Sequence, residues 1–180
     1  MGDPKEKGRG EMKRVIAGIL MGGAIMFTPI TAQANFLSYI PPKETTGIPV
    51  DVYENANIVG DSFNICPELL MALAERESQF TPTAENGSCK GLMQVNASYH
   101  KERFTDAGWK TSEWSDGYKN MYVAASYLAD LFEEYEDVGI VLGLYHGEKN
   151  AVSKGMSGNL SSYVTGILER SEELERIHNK

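Results

Sequence analysis

Apolar residues recur at helical spacing in five stretches of this chain. The first begins near residue 50, and one stripe of it contains Val52, Ala56, Val59 and Phe63. A second predicted helix opens at Pro67 and runs to Phe80, because proline suits the first turn of a helix. It stops before Pro82, since proline is excluded from a helix interior.

Three more helices are predicted in the second half of the chain. The longest has one apolar and aromatic stripe, formed by Tyr118, Tyr122, Ala125, Ala129 and Phe132. A short helix covers about 138–144. The last helix is predicted to begin at Asn159 as its cap and to face inward with Leu160, Tyr163, Val164 and Ile167. Residues 98–115 are expected to be irregular, and Gly155 and Gly158 predict a loop.

The segment between the second helix and the long helix lacks a helical period. Residues 85–88, Glu-Asn-Gly-Ser, are typical of a turn. Residues 91–96 fit either a short strand or a tight apolar loop, and their pattern does not choose between the two. With 42% hydrophobic and 23% charged residues, the chain is predicted to form one mainly α-helical domain with a small irregular or β-hairpin segment.

The N-terminus has the composition of a secretory signal peptide. Lys13 and Arg14 precede an apolar run over 15–27, and the small residues of an A-x-A site end at Ala34. We predict cleavage after residue 34, a linker over 35–48, a folded domain over 49–176 and a tail over 177–180. An uncleaved membrane anchor is the alternative, although the apolar run is shorter than the roughly 20 residues that span a bilayer. Both predictions place the domain outside the cytoplasm.

The charge of the remaining chain limits its partners. Without residues 1–34 it has 12 basic and 22 acidic residues, a net charge of −10. An acidic domain repels phosphate backbones, so no nucleic-acid partner is expected, whereas a neutral sugar polymer is acceptable. Membrane association is expected only if the N-terminal segment stays uncleaved, and the domain is expected to be a monomer.

Cysteines and histidines carry little evidence of a cofactor. Cys66 and Cys89 are predicted to form a disulfide in an oxidising compartment, with two buried free thiols as the alternative. The three histidines, His100, His146 and His178, do not have the spacing of metal ligands. We therefore predict no metal and no cofactor.

Glu77 is the candidate catalytic residue. It follows Leu70, Leu73 and Ala74 on the stripe of the second helix that faces the core. A carboxyl group in apolar surroundings has a raised pKa because desolvation disfavours its charged form, as a general acid requires. The alternative is a residue at the rim of the stripe whose carboxylate reaches water.

The residues around Glu77 resemble the signature of the soluble lytic transglycosylase family, which is related to goose-type lysozymes. The matching motifs are Glu77-Ser78-x-Phe80-x-Pro82-x-Ala84, Gly91-Leu92-Met93-Gln94, Asn120 with Ala124-Ala125-x-x-Leu128, Leu144-Tyr145-His146-Gly147 and Ser162-Tyr163-Val164. They occur in the order of the family, and the resemblance covers about residues 50–176. His146 departs from the pattern, since the family usually has asparagine after that tyrosine.

The resemblance implies a lysozyme-like fold and peptidoglycan as substrate. It implies that Glu77 is the single acid/base that cleaves the β-1,4 bond between N-acetylmuramic acid and N-acetylglucosamine, leaving a 1,6-anhydro end. It assigns substrate-binding positions to Ser78, Met93, Gln94, Tyr145 and Tyr163. Two alternatives remain: a muramidase that hydrolyses the same bond with water, and a non-catalytic wall-binding or assembly module.

Overall fold

Residues 46–178 are described by this computed structural model, and they contain seven α-helices and one small antiparallel sheet. The helices are α1 (Val50–Phe63), α2 (Pro67–Ser78), α3 (Lys101–Asp106), α4 (Gly117–Glu134), α5 (Val138–Tyr145), α6 (Ala151–Met156) and α7 (Ser162–Ile177). The strands are β1 (Glu85–Asn86), β2 (Cys89–Lys90) and β3 (Val95–Asn96), and a 3-10 turn covers Thr111–Glu113. The prediction of a mainly helical domain with a small hairpin segment is confirmed.

The predicted signal peptide and most of the predicted linker lie outside the described residues. Within residues 46–178, no helix combines the length and the hydropathy needed to cross a bilayer.

Helix α2 lies at the centre of the domain. All six residues from Leu69 to Ala74 are buried, and α2 packs against both α1 and α7. A helix that is apolar around its whole circumference is enclosed by its neighbours. Its last turn, which ends at Ser78, emerges from this core and carries Glu77 to the edge of the packed region. The helix ends two residues earlier than predicted, because Gln79 and Phe80 take positive φ angles of 51° and 61°.

The region predicted to be irregular contains a short helix. In α3 only Phe104 is buried, and it is fully enclosed by the core. A helix of six residues with one buried side chain cannot show a periodic stripe. The pattern of the sequence therefore missed it.

The predicted loop at Gly155 is wrong, because this residue belongs to α6. A Cβ atom there would lie 2.2 Å from Cγ1 of Ile140, so glycine lets α6 approach α5 closely. The predicted cap of the last helix is also corrected. Ser161, rather than Asn159, caps α7, since its Oγ accepts a hydrogen bond of 3.3 Å from Val164 N.

The C-terminal end of α7 contacts the first turn of α2. Helix α7 continues to Ile177, and Nδ1 of His178 lies 2.7 Å from Oε1 of Glu68. Both side chains are almost completely buried. Glu68 therefore belongs to the core.

The three strands form a meander in the order β1-β2-β3. Glu85 pairs with Lys90, and Lys90 pairs in turn with Val95. Of the ambiguous segment 91–96, only the last two residues form a strand, and the rest is a turn. This meander forms one wall beside the C-terminal end of α2.

The structure contradicts the predicted disulfide, since Cys66 and Cys89 are both free thiols. Cys66 precedes the first residue of α2, whereas Cys89 lies in β2 beside the last turn of that helix. A helix of 12 residues is about 18 Å long, and a disulfide needs Cα atoms within about 7 Å. The thiol of Cys66 instead donates a hydrogen bond of 3.1 Å to Oε2 of Glu68.

Candidate active site

A cavity of about 580 Å³ lies where the last turn of α2 meets the meander and the end of α5. Its lining includes Arg76, Glu77, Ser78, Gln94, Tyr145 and His146. The cavity therefore contains the candidate acid and three of the predicted substrate-binding residues. Tyr163 approaches from α7 and contacts Glu77 directly.

Glu77 is half-buried in the lining of this cavity. Burial raises the pKa of its carboxyl group, because a charged carboxylate loses hydration there. A hydrogen bond donated by Tyr163 and the positive charges of His146 and Arg76 act in the opposite direction, but burial is the largest effect. The result is a carboxyl group that holds its proton to a higher pH than an exposed glutamate does.

Tyr163 is held in place by aromatic and cationic neighbours. The ring of His146 stacks on it with centroids 3.7 Å apart and planes 14° apart. The guanidinium carbon of Arg76 lies 5.5 Å from the centroid of the same ring. Burial and the charge of Glu77 raise the pKa of Tyr163 well above its usual range, so its hydroxyl remains a hydrogen-bond donor.

Tyr145 connects α5 to the turn at residues 91–94. Its hydroxyl donates a hydrogen bond of 2.7 Å to the carbonyl of Met93. Burial, followed by the charge of Glu77, raises its pKa well above the usual range. This tyrosine therefore stays neutral and fixes the turn beside the cavity.

The turn is also held from α2 and α4. Ser78 Oγ donates a hydrogen bond of 2.7 Å to the carbonyl of Leu92. The buried Asn120 accepts a hydrogen bond of 2.8 Å from Met93 N and donates one of 3.0 Å to the carbonyl of Lys90. Gly91 has a φ of +84°, and a Cβ atom on it would lie 2.3 Å from Nδ2 of Asn120. The Gly-Leu-Met-Gln sequence is therefore a turn that only glycine at its first position allows.

The family model named Transglycosylase SLT domain matches residues 54–161, more than half of the chain. The chain belongs to this family. The match begins within α1 and ends at the cap of α7, so it includes the whole lining of the cavity, while Tyr163 lies just beyond it. No curated protein matches the chain significantly.

Membership agrees with the observed architecture. The SLT domain of this chain has the helical, lysozyme-like fold with a small antiparallel sheet that the motifs led us to expect. Family membership supports a peptidoglycan transglycosylase in general terms.

Three of the predicted substrate-binding residues of this SLT domain have side chains that are buried or hydrogen-bonded within the protein. The side chain of Met93 is fully buried in the core, so it does not line the cavity as predicted. Gln94 lines the cavity, but its amide nitrogen donates to the carbonyls of Ala84 at 3.1 Å and Gly91 at 2.9 Å. Both of its donor hydrogens are therefore used to close the turn. The hydroxyl of Ser78 also donates within the protein, to the carbonyl of Leu92.

Sequence reasoning did not assign a role to Glu148. Its carboxylate accepts a hydrogen bond from Ser161, the cap of α7, and forms an ion pair of 2.7 Å with Lys154. Tyr163 follows Ser161 by two residues, so Glu148 positions the start of the helix that brings Tyr163 to Glu77. Only the position of Glu148 directly after Gly147 in the tyrosine motif could have drawn attention to it.

In the part of the chain that the structure describes, no group of three or more histidine, cysteine, aspartate or glutamate side chains could hold a metal ion. At the cavity, the carboxyl group of Glu77 has a phenol, an imidazole and a guanidinium as neighbours. Such an arrangement can donate a proton and accept it back.

Proposed function

We propose that this SLT domain is a peptidoglycan lytic transglycosylase that cleaves the β-1,4 bond between N-acetylmuramic acid and N-acetylglucosamine. Glu77 would be its single general acid and base. The observation that carries this proposal is the cavity carboxyl group whose pKa is raised by burial and which Tyr163 holds by a hydrogen bond. A general acid needs to be protonated near its operating pH.

In the first step, the protonated Glu77 gives its proton to the glycosidic oxygen, and the bond from that oxygen to C1 of the muramic acid breaks. The oxocarbenium-like centre is stabilised by the N-acetyl group or by the cleft. The hydrogen bond from Tyr163 stabilises the glutamate while it is ionised. In the second step, Glu77 takes the proton of the 6-hydroxyl group, and that oxygen bonds to C1 to close the 1,6-anhydro ring.

A single carboxylate is consistent with the other acidic residues near the site. Glycosidases with two catalytic carboxylates hold the second one free to act on water or on the sugar. Glu85 lines the cavity but forms an ion pair of 2.7 Å with Lys90. Asp116 caps α4, because its carboxylate accepts a hydrogen bond of 3.0 Å from Lys119 N. Both side chains are thus engaged within the protein, and the product separates transfer to the internal 6-hydroxyl from hydrolysis by a muramidase.

The substrate sets the location of the enzyme. Peptidoglycan lies outside the cytoplasm, so the predicted signal peptide over 1–34 would export the domain as a monomer, without metal or cofactor.

The test is mass spectrometry of the fragments that the full-length chain releases from purified peptidoglycan, compared with a Glu77→Gln variant. We expect anhydro-muropeptides from the parent and none from the variant, with Glu85→Gln retaining activity as the matched control. Reducing ends would identify a muramidase. Wall binding without release by the parent would overturn the enzymatic proposal and leave a binding module.

A further inference from the structure

Arg76 is a cation of the cavity that forms no salt bridge, although its charge acts on the neighbouring carboxyl group of Glu77. Within residues 46–178 its guanidinium makes no ion pair and no hydrogen bond, and it is exposed to the cavity. Its neighbour on the helix, Glu75, is already paired with Arg170 at 2.7 Å. Arg103 is likewise paired, with Asp130. In a domain with an excess of acidic residues, an unpaired guanidinium inside a cavity indicates a place for an anion.

The side chain of Arg76 is positioned by a contact with Tyr163. Its guanidinium carbon lies 5.5 Å from the centroid of the Tyr163 ring, within the range of a cation–π contact. His146 stacks on the same ring and lines the same cavity. The guanidinium is therefore held beside the Glu77 carboxyl group, one residue away along α2, with its donor hydrogens available.

Guanidinium groups bind carboxylates through two parallel hydrogen bonds. In the glycan of the proposed substrate, only the muramic acid unit bears a carboxylate, either as its free lactyl group or, when a stem peptide is attached, on that peptide. N-acetylglucosamine has none. We infer that Arg76 binds a carboxylate of the muramic acid unit or of its stem peptide. This inference rests on the proposed function, and it makes Arg76 the residue that distinguishes anionic from neutral β-1,4 glycans.

A carboxylate bound to Arg76 would also decide which bond is cut. The two sugars alternate along the strand, so two kinds of β-1,4 bond pass the carboxyl group of Glu77. When a muramic acid unit is bound to Arg76 through its carboxylate, the bond that lies at Glu77 is always of the same kind. Arg76 would thus set the register of the bound strand and also select anionic over neutral glycans.

The test measures binding without turnover. Full-length Glu77→Gln protein, alone and with Arg76→Gln, is titrated calorimetrically with four tetrasaccharide probes. One contains only N-acetylglucosamine, and three alternate the two sugars, with the lactyl group free, amidated or joined to a stem peptide. Arg176→Gln is the matched control, because it removes the same charge near the end of α7, about 20 Å along that helix from Tyr163.

We expect Arg76→Gln to weaken binding of a carboxylate-bearing probe about tenfold and to leave the neutral probes unchanged. A loss confined to the free lactyl probe identifies that group as the anion, and a loss confined to the peptide probe identifies the stem. Arg76→Lys should restore part of the affinity, since a lysine keeps the charge but loses the paired hydrogen bonds.

Equal loss for all four probes, no loss for any of them, or failure of the parent to bind the muramic acid probes would overturn the inference. Thermal melting of each variant checks that it is folded, and Arg76→Lys provides the comparison if Arg76→Gln is not. Because these titrations use an inactive background, their outcome is separate from the cleavage assay. Absence of anhydro products from the parent would refute the proposed activity and leave the carboxylate selectivity measurable.

Discussion

The hydroxyl of Tyr163 donates a hydrogen bond to Oε1 of Glu77 across 86 residues of sequence. One residue lies near the start of α7 and the other in the last turn of α2, two helices that pack along each other. The contact opposes the effect of burial on the Glu77 pKa. The packing of two helices therefore adjusts the proton affinity of the proposed acid, and this can be measured.

Tyr163→Phe should shift the pH profile of the glycan cleavage. The lost hydrogen bond stabilises the ionised form of Glu77, so its removal raises the Glu77 pKa further. The protonated acid then persists to higher pH, and the alkaline limb of kcat/KM moves upward. We also expect the maximal rate to fall about tenfold, because the glutamate formed in the first step is less stabilised.

Tyr118→Phe, a half-buried tyrosine of α4, is the matched control for this measurement. An alkaline limb that stays in place or moves to lower pH in Tyr163→Phe would contradict the assigned role of the hydrogen bond.

Glu77→Gln should stabilise the fold at neutral pH. The folded-state pKa of Glu77 is raised above its usual value of 4.5, so the folded protein binds this proton more tightly than the unfolded chain does. Stability contributed by the protonated group is complete below that value and is lost as pH rises through the folded pKa. Glutamine does not ionise, and we expect it to add about 1 kcal/mol at pH 7.

Urea unfolding at pH 7 and at pH 4 checks this, with the same substitution at the exposed Glu169 of α7 as the control. The difference in the free energy of unfolding between Glu77→Gln and the parent should disappear at pH 4. If the variant were less stable than the parent at pH 7, burial would not destabilise the Glu77 carboxylate as described.

Gly91→Ala and Gly87→Ala separate backbone strain from steric exclusion. Both glycines have positive φ, +84° and +61°, which costs about 1 kcal/mol with any Cβ atom. At Gly87 nothing lies within 4 Å of the added atom, whereas at Gly91 it would meet Asn120 and the carbonyl of Trp114 at 2.7 Å. We expect Gly91→Ala to cost about 3 kcal/mol or more in urea unfolding, and Gly87→Ala about 1.

Activity provides a second comparison for this pair. Gly91→Ala should also lose glycan cleavage, since Gln94 and the carbonyl of Met93 move with the turn. Equal effects of the two substitutions would mean that Asn120 does not hold the turn as described.

Both cysteines should be alkylated in the unreduced, folded protein, because neither is paired. Burial raises the pKa of the Cys66 thiol to about 11. Since only the thiolate reacts, we expect Cys66 at pH 8 to react with iodoacetamide at least about tenfold more slowly than in the urea-unfolded chain. Peptide mass mapping after timed labelling measures this rate. A linked pair of Cys66 and Cys89 peptides from unreduced protein would contradict the structure.

The longer helices and the family were determined by the sequence itself. Val52, Ala56 and Val59 repeat at helical spacing and are buried on one face of α1, as the pattern predicted. The stripe of α2 likewise placed Glu77 on the side of the helix that faces the core, and the residue is half-buried in the lining of the cavity. The motifs indicated the family, because each of them lies within one local segment.

Short elements escaped prediction for a physical reason. Helices α3 and α6 have six residues each, and such lengths bury too few side chains to show a period. Glycine is typical of loops, whereas Gly155 allows the close approach of α6 to Ile140.

Only the tertiary structure decided the surroundings of the candidate acid. The Tyr163 hydrogen bond and the Arg76 contact depend on how α7 packs against α2, and no local pattern encodes that distance. The inward side chain of Met93 and the separation of the two cysteines follow from the turn and from the length of α2. Periodicity reports which face of an element is buried, but the partner that covers this face is chosen by contacts between residues distant in the chain.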